Sequence, residues 1–535
     1  MNKNWKRGMA CMLSAALLIS FAGCTKEETS SDDVSYLENA AYPIKTETML
    51  TYWMPLSANV SASATEMGDT HYAEEMEKRT GIKVKYIHPV AGQETEQLNL
   101  LLASDELPDM IEYNWYEFTG GPNKAINDEY IITLNELIDK YSPNLKKLLS
   151  ENPEFDKAIK TDEGKYYVYP FIKADNLLHS TAGLSIRKDW LDEYGLKVPE
   201  TFDELYDVLK VLKEKKNLSA PLTIPGGSTN SYFDILMTHF GASNMFYVED
   251  GTVKYGPLES EYKDAIATLA KFYKDGLLDR NFSTADTKIV ESNMLNEKSA
   301  ATHTSAGGQL GKWVGAKKAE NEPFGLEGIK YLTKEKGGIN KFGGAAKIYV
   351  GAGSVAITST SANKELAAKY LDYLYGEEGH MLANFGTEGV SYEMKDGKPI
   401  YTDLVMKSPD GLAVNQAMGK YFRSSYSGPF LQDVGYIEQY YQMDCQKNAQ
   451  KMWSTGVETA TKYELPNIIP TQEESTRVAK ILSNVDTYKY SMLLKFIMGT
   501  ESLDNYDAFI KQFKDFEIEQ AISIYQTAYE RYQKR

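Results

Sequence analysis

Cysteine and histidine are scarce in this 535-residue chain, which contains three cysteines and six histidines. Cys11 and Cys24 lie near the start, so Cys445 is the one cysteine in the rest of the sequence. A single thiol cannot form an intramolecular disulfide, and the fold must therefore rely on its hydrophobic core. Hydrophobic residues make up 42% of the chain, which at this length is enough for one large or two medium-sized cores.

The histidines also lack the spacing of a metal site. No two are four residues apart and none has a cysteine partner, as their positions show: His71, His88, His179, His239, His303 and His380. This spacing argues against a zinc site. The acidic turns at residues 162–164 and 249–251 are too short for a calcium loop. We therefore predict neither a metal ion nor a cofactor.

Positive charge is in deficit. The chain has 58 Lys and Arg against 75 Asp and Glu, and its net charge is −17. Nucleic-acid binding needs clustered basic residues, so this balance argues against nucleic acid as a partner, and we predict none. It also disfavours electrostatic docking on an anionic membrane, although one local arginine is enough to bind an acidic ligand.

Several segments partly match known catalytic or nucleotide-binding motifs, but each lacks a required feature. Residues 351–356 match the pattern G-x-G-x-x-A, but a strand-like run follows where a dinucleotide site needs a helix. Gly311-Lys312 resembles part of a P-loop, but Trp313 stands in place of the magnesium-binding Ser or Thr. The motifs G-x-S-x-G and H-E-x-x-H are absent. A glycan-cleaving pair of carboxylates stays open as an alternative, because the spacing of such a pair is spatial.

The N-terminus has the pattern of a secretion signal. Lys3, Lys6 and Arg7 precede an apolar segment, residues 8–22, that is too short to span a bilayer as a mature helix. The segment ends in Phe21-Ala22-Gly23-Cys24, which resembles a bacterial lipobox. We predict a signal peptide over residues 1–23, whose removal brings the net charge to about −20. Cys24 is the predicted lipidation site, the alternative being an ordinary signal peptide with an incidental cysteine. The polar residues 24–47 are predicted to form a flexible tether.

The body of the chain alternates between strand-like and helix-like segments. Strand patterns at 49–53, 82–87 and 110–113 are separated by helical patterns, one of them at 69–79. Thr201 and Glu204 form a capping box that opens an amphipathic helix. The alternation up to residue 113 predicts an α/β lobe with a largely parallel sheet. The chain also contains 38 tyrosines, and tyrosine combines the flat apolar face and hydrogen-bonding tip that suit sugar rings.

Four passages, in order along the chain, resemble the extracellular solute-binding proteins of family 1, the maltodextrin-binding class. The first is residues 100–111, where Leu107-Pro108-Asp109 separates a helix from a strand. The others are residues 164–170 with 184–191, residues 198–204, and residues 361–379. The resemblance is clearest over residues 48–390. The chain length, residues 386–392 and residues 528–532 are similar to large lipoproteins of Gram-positive bacteria, which are mostly associated with oligosaccharide import.

The resemblance implies a periplasmic-binding-protein-like (type II) fold, in which two α/β lobes enclose a ligand cleft and crossing hinge segments join them. After the signal peptide and the tether, the N-terminal lobe is expected over residues 48–174 and 350–415. The C-terminal lobe is expected over residues 175–349 and 416–535.

Ligands of open α/β sheets bind beyond the carboxyl ends of the strands. This favours Trp53, Asn114, Trp115 and Tyr116 as ligand-binding residues, because each lies at or just after a strand end. Tyr232 stands where the family has a sugar-contacting aromatic residue. The remaining candidates are two polar residues after the hinge crossing and four residues in loops: Asp175, Asn176, Thr304, Trp313, Tyr392 and Tyr436. For each aromatic residue the alternative is packing in the core.

The predicted function is a lipid-anchored substrate-binding protein of an ABC importer. It would capture a carbohydrate by hinge closure and deliver it to the permease subunits. We expect a monomer that is anchored on the extracellular face of the membrane and has no enzymatic activity. The alternatives are a lipid-anchored glycan-degrading enzyme and a peptide- or metal-binding lipoprotein.

Overall fold

The computed structural model describes residues 34–104, 106–225, 230–344 and 353–535, without the side chains of residues 230–233 and 235. The predicted signal peptide, Cys24 and residues 25–33 lie outside this range. None of the described helices combines the length and the apolar character needed to cross a membrane.

The strands, in chain order, are β1 (Met49–Trp53), β2 (Lys83–Ile87), β3 (Met110–Glu112), β4 (Ile172–Lys173), β5 (Ala182–Arg187), β6 (Phe246–Glu249), β7 (Thr252–Tyr255), β8 (Ala301–Ser305), β9 (Leu326–Gly328), β10 (Val355–Ile357), β11 (Tyr392–Lys395), β12 (Lys398–Tyr401) and β13 (Leu431–Gln432). The helices are α1 (Ala58–Ser61), α2 (His71–Thr80), α3 (Glu94–Leu102), α4 (Gly121–Asn127), α5 (Asn135–Tyr141), α6 (Pro143–Glu151), α7 (Pro153–Ala158), α8 (Lys188–Glu193), α9 (Phe202–Lys216), α10 (Asn230–His239), α11 (Ser260–Lys274), α12 (Thr287–Leu295), α13 (Gly311–Ala319), α14 (Lys364–Asp372), α15 (Glu377–Asn384), α16 (Asp403–Met406), α17 (Val414–Tyr421), α18 (Val434–Tyr440), α19 (Asp444–Ser454), α20 (Val457–Thr461), α21 (Gln472–Met498), α22 (Tyr506–Asp515) and α23 (Ile518–Gln533).

The first lobe is built on a four-stranded sheet in the order β10-β3-β1-β2. β1 pairs in parallel with both β2 and β3, whereas β10 is antiparallel to β3. Asp109, in the Leu-Pro-Asp turn before β3, fixes this arrangement. Its carboxylate accepts hydrogen bonds from the backbone and hydroxyl of Thr51 at 2.8 Å and from the hydroxyl of Ser361 at 2.6 Å. The motif therefore ties β1 to β3 and to the segment that leads into α14.

The second lobe has a three-stranded antiparallel sheet in the order β8-β5-β9. Helix α9 packs beside it, and the side chain of Thr201 caps the backbone N–H of Glu204 as the sequence predicts. The carboxylate of Glu204 accepts from the backbone of Glu200, one residue before the expected partner. The predicted apolar face of α9 is buried with residues of α21, α22 and α23 in the core of this lobe. The two-lobed α/β architecture is confirmed.

Two short strands form the hinge between the lobes. β4 pairs in parallel with β13, so that Ile172 lies opposite Leu431. Asn384 of the first lobe holds β13 in place: its amide donates to the carbonyl of Leu431, and its Oδ1 accepts from the backbone of Asp433, each at 2.9 Å. The chain crosses between the lobes immediately after both strands.

Residues 34–47 correct the predicted tether. They form a 3₁₀ turn at Val34–Asn39 followed by an extended segment, and Leu37 and Ile44 are buried in the core of the first lobe. The hydroxyl of Tyr42 donates to the carbonyl of Lys369 at 2.6 Å. The polar composition of the segment suggests a tether, but its few apolar residues are enough to fix it to the lobe.

The predicted lobe boundary at 415/416 also needs correction. Helix α17 spans it and packs against α1 of the first lobe, where the amide of Asn415 donates to Asn59 at 2.7 Å. Phe430 belongs to the core of the first lobe as well. The chain therefore stays with the first lobe until β13, about 16 residues later than predicted. The boundary at 174/175 falls one residue after the end of β4, and the one at 349/350 lies outside the described residues.

An ion-pair cluster links the C-terminal helix α23, whose Ile518 and Ala521 lie in the core of the second lobe, to the first lobe. Asp162 accepts hydrogen bonds from Arg531 at 2.6 Å and from Arg535 at 2.8 Å. We expect Asp162→Asn to lower the free energy of unfolding by about 1–3 kcal/mol, because two guanidinium groups lose a charged acceptor. Urea unfolding measures this. Asp139→Asn, which breaks an exposed pair with Lys146, is the control, and equal effects of the two variants would contradict a special role for the cluster.

Two neighbouring histidines, of which His239 is fully buried, lead us to predict that the protein is sensitive to acid. His239 is fully buried, stacks on Tyr331 with 4.2 Å between ring centroids, and has no hydrogen-bond partner among the described residues for either ring nitrogen. Burial holds its pKa well below the usual value, and burial lowers the pKa of the neighbouring His303 to about 4. The unfolded chain takes up protons near pH 6.5 where the folded chain does not. The contribution of these histidines to the free energy of unfolding is therefore fully present above pH 6.5. It is lost as the pH falls below that value, by up to about 1.4 kcal/mol per pH unit for each histidine.

We expect His239→Phe to reduce this loss, because phenylalanine keeps the stack on Tyr331 and removes the titrating group. The measurement is the free energy of unfolding in urea at pH 7 and pH 5 for both proteins. The same difference between the two pH values in the variant and the original chain would contradict the prediction.

Candidate functional site

A cavity of about 1010 Å³ lies between the two lobes, against the hinge. It is at the upper end of the range of roughly 300–1,000 Å³ that is usual for small-molecule sites. Its walls come from both lobes and from the hinge strands. A ligand in this cavity would contact both lobes at once.

The first-lobe wall begins at the carboxyl end of β3. Asn114, Tyr116 and Glu117 line the cavity there, whereas the intervening Trp115 points into the core and donates from its indole nitrogen to the carbonyl of Ile111 at 3.1 Å. The Oδ1 atom of Asn114 is buried and has no donor among the described residues. This wall therefore offers a hydrogen-bond acceptor that nothing in the described protein uses.

The hinge supplies the floor of the cavity. Phe171, Lys173 and His179 line it, and the Nε2 of His179 donates to the carbonyl of Lys173 at 2.8 Å. The ammonium group of Lys173 lies 5.7 Å from the centroid of the Phe171 ring. The imidazole thus fixes the backbone of β4 just before the chain enters the second lobe.

Residues 424–427, three serines and Tyr426, form another part of the first-lobe wall. Buried Arg423 supports them. Its guanidinium donates to both carboxylate oxygens of Glu112, at 3.0 and 2.9 Å, and to the carbonyl of Ser427 at 2.6 Å. The hydroxyl of Tyr52 donates to the same carboxylate at 2.6 Å. A buried ion pair therefore lies directly behind the hydroxyl-rich wall.

Three tyrosines of the α18 region form a further wall of the cavity, together with the loop after β8. Tyr436 and Tyr440 are stacked, with ring centroids 5.9 Å apart and an angle of 11° between the rings. The hydroxyl of Tyr440 donates to the carbonyl of Gly307 at 3.0 Å, and Tyr441 lies beside it. Burial raises the pKa of Tyr436 and of Tyr440, so both hydroxyls are neutral at physiological pH. Flat apolar faces and hydroxyl groups thus line the same wall.

Three of the residues predicted from the sequence, Asn114, Tyr116 and Tyr436, line the cavity. Tyr232 cannot be placed, because its side chain lies outside the described residues. The other candidates are not part of the lining. They are either buried in the cores (Trp53, Trp115, Trp313 and Tyr392), bonded between strands (Thr304, whose hydroxyl is 2.6 Å from that of Ser185), or exposed in the turn after the hinge (Asp175 and Asn176).

The physical reasons for these positions differ. The indoles of Trp53, Trp115 and Trp313 are large apolar groups whose burial stabilises the cores. Asp175 accepts a hydrogen bond from the backbone of Leu177 and so caps the turn that follows the hinge. Lys173 and Tyr440, among others, line the cavity but are not among the residues predicted from the sequence. The closeness of Lys173 to the predicted hinge was the one available signal.

The described residues contain no group of three or more His, Cys, Asp or Glu side chains that could hold a metal ion. Among the described residues, the charged ones that line the cavity are Glu117, Lys173, Lys341 and Glu464. Lys341 is paired with Glu249 at 2.5 Å. The cavity is therefore a mixed aromatic and polar surface, of the kind found in binding sites.

The sequence model of the bacterial extracellular solute-binding proteins matches residues 57–381, and the chain belongs to this family. The fructooligosaccharide ABC transporter substrate-binding protein FusA of Streptococcus pneumoniae is 25% identical over 556 residues, which cover 98% of each chain. Lipoprotein LipO of Bacillus subtilis is 26% identical over 79% of this chain and 80% of its own. The crystal structure of the alginate-binding protein AlgQ2 without calcium ion has a TM-score of 0.71 at 27% identity, covering 92% of this chain and all of that one. The maltodextrin-binding subclass remains a prediction.

Proposed function

We propose that this protein is the substrate-binding component of an ABC importer and that it captures an oligosaccharide in the cavity between its lobes. The observation that carries the proposal is the cavity itself, whose lining combines stacked tyrosines, serine hydroxyls and amide groups beside a two-stranded hinge. Membership of the solute-binding family and the name of FusA support it.

The lining suits a sugar in two ways. Sugar rings have apolar faces, which pack on the tyrosine rings, and hydroxyl rims, which need hydrogen-bonding partners. The unused Oδ1 of Asn114 accepts from a ligand hydroxyl, and the serines at 424, 425 and 427 supply further polar contacts. The cavity volume favours several sugar units over one.

Capture proceeds by closure of the lobes about the hinge. The ligand binds the wall of one lobe first, and bending at β4 and β13 brings the second wall onto it. The closed form is selected because it makes more contacts with the ligand. The closed protein then docks on the permease subunits as a monomer and releases the sugar.

The anchor belongs to the proposal as well. Signal cleavage before Cys24 and lipidation of its thiol would hold the protein on the extracellular face of the membrane, near the permease, at a high local concentration. Fractionation of cells that express the full chain tests this. Recovery in the culture medium, in place of the membrane fraction, would contradict the anchor.

Thermal unfolding with a panel of mono- and oligosaccharides tests the proposed binding. A ligand at 100 times its dissociation constant stabilises the native state by about 2.7 kcal/mol. We expect a shift with one glycan family and no new products by chromatography after prolonged incubation. No shift with any saccharide would overturn the proposal, and a shift accompanied by cleavage would favour a glycan-degrading enzyme instead.

A further inference from the structure

We propose that the saccharide held between the lobes is anionic and that Lys173, on hinge strand β4, binds its acidic group. This inference rests on the proposed function and goes beyond it by stating the charge of the ligand. It depends on the surroundings of this one ammonium group.

Lys173 lines the cavity and is half-buried. Within the described part of the chain its ammonium group has no ion pair and no hydrogen bond, and it lies over the ring of Phe171. Burial, with no compensating charge, lowers the pKa of this lysine. The group is therefore a cation that has lost part of its hydration and has gained no protein partner in return.

Two other charged groups, one in the cavity and one near the hinge, already have partners. Lys341 is neutralised by Glu249. Asp433, which follows the second hinge strand, is paired with His380 at 3.1 Å and also accepts from the backbone of Gly435. None of these groups neutralises the positive charge of Lys173.

The two carboxylates of the lining do not balance it either. Glu117 is exposed to solvent. Glu464 has its own interaction, and neither residue forms an ion pair with Lys173 among the described contacts. The one charge in the cavity that still needs an opposite charge is thus positive, in the part of the chain that the structure describes.

The chemistry of a partly buried ammonium selects its ligand. A carboxylate or a sulfate forms a charge-assisted hydrogen bond with it, which is roughly twice as strong as a bond to a neutral hydroxyl group. A neutral sugar offers only hydroxyl oxygens as acceptors and therefore compensates less of the hydration that the ammonium has lost. Lys173 also lies on the strand that joins the lobes, so the acidic group keeps this contact when the lobes rotate.

Isothermal titration calorimetry with paired ligands tests the inference. Oligogalacturonates are compared with their methyl esters, and sulfated oligosaccharides with their desulfated forms, so that each pair differs in charge and shares a backbone. We expect at least one acidic member to bind roughly 10- to 100-fold more tightly than its neutral counterpart. The pair that shows this difference identifies the acidic group as carboxylate or sulfate.

The variants separate charge from shape. Lys173→Met removes the charge and is expected to weaken the acidic ligand by the same roughly 10- to 100-fold and to reduce the salt dependence of its binding. Lys173→Arg restores part of the affinity. Lys420→Met is the control, because Lys420 pairs with Asp410 outside the cavity lining. Thermal unfolding checks that Lys173→Met still folds. We expect it to fold, because Lys173 has no hydrogen bond or ion pair to lose among the described residues.

The possible failures are distinguishable. Equal or tighter binding of the neutral members would overturn the inference and leave the proposed function standing. Full affinity of Lys173→Met for an acidic ligand would overturn the role of Lys173. Binding of no saccharide of either class would overturn the proposed function and this inference with it.

Discussion

Replacing Glu112 with Gln is expected to lower the free energy of unfolding by about 3–5 kcal/mol, because the change leaves the guanidinium of Arg423 buried without its counter-charge. The side chains of Arg423 and Glu112 are 2% and 5% exposed, and two hydrogen bonds join them. The same loss is expected for Arg423→Met, which leaves the carboxylate unpaired. Chemical denaturation of the single variants measures both effects.

The double variant, with Gln at 112 and Met at 423, distinguishes the cost of one unpaired buried charge from the cost of losing the whole ion pair. Since no unpaired charge remains, we expect it to be more stable than either single variant. Asp403→Asn is the matched control, because it breaks an exposed pair with Lys407 and should change stability by less than about 1 kcal/mol. A Glu112→Gln variant as stable as this control would contradict the prediction.

The ion pair between Arg423 and Glu112 also supports the wall of the cavity. Arg423 also donates to the carbonyl of Ser427, and its guanidinium leaves no room for a side chain at Gly428, where an added Cβ would lie 2.6 Å away. The serine wall of the cavity is thus held by a charge pair from the core of the first lobe. We expect ligand affinity to fall in Arg423→Met even where the protein remains folded.

The sequence predicts those parts of the fold that depend on local patterns. The cap at Thr201 and the apolar face of α9 follow from spacing along one helix, and the structure has both. The parallel pairing of β1, β2 and β3 follows from the alternation of strands and helices. The first two features depend on residues within one helix, and the third depends on the order of strands and helices along the chain.

The site is harder to predict because it depends on which way side chains point. Trp115 and Tyr116 are neighbours after the same strand, yet Trp115 faces the core and Tyr116 faces the cavity. A short strand followed by a turn gives no periodic pattern that would separate the two. Tyr440 meets Gly307 across 133 residues of sequence, and no local signal indicates that contact.

The boundaries between the lobes are also hard to predict from the sequence. Helix α17 is amphipathic, and its sequence does not indicate which of the two lobes covers its apolar face. The structure pairs it with α1, 356 residues away at the Asn59–Asn415 contact. A sequence pattern shows that a face is buried, whereas the partner that buries it is a property of the tertiary fold.

Replacing Tyr440 with Ala is expected to weaken saccharide binding by about 30-fold or more, a loss of roughly 2 kcal/mol that is typical of an aromatic anchor at the centre of an interface. The ring stacks on Tyr436 and is held by the bond from its hydroxyl to Gly307, so it offers a preformed surface to a sugar face. Removing it exposes Tyr436 and takes away that bond. Isothermal titration calorimetry with the saccharide that stabilises the protein measures the change.

Two further variants show whether the ring or its hydroxyl carries the effect. Tyr440→Phe keeps the stacking face and loses one neutral hydrogen bond, so its affinity should fall by only about threefold to tenfold. Tyr36→Ala removes a tyrosine that is 54% exposed and outside the cavity lining, and it should bind as the original chain does. Undiminished affinity of a folded Tyr440→Ala protein would mean that the sugar does not stack on this wall. The hinge, with Lys173, and the serine wall would then be the surfaces that hold the ligand.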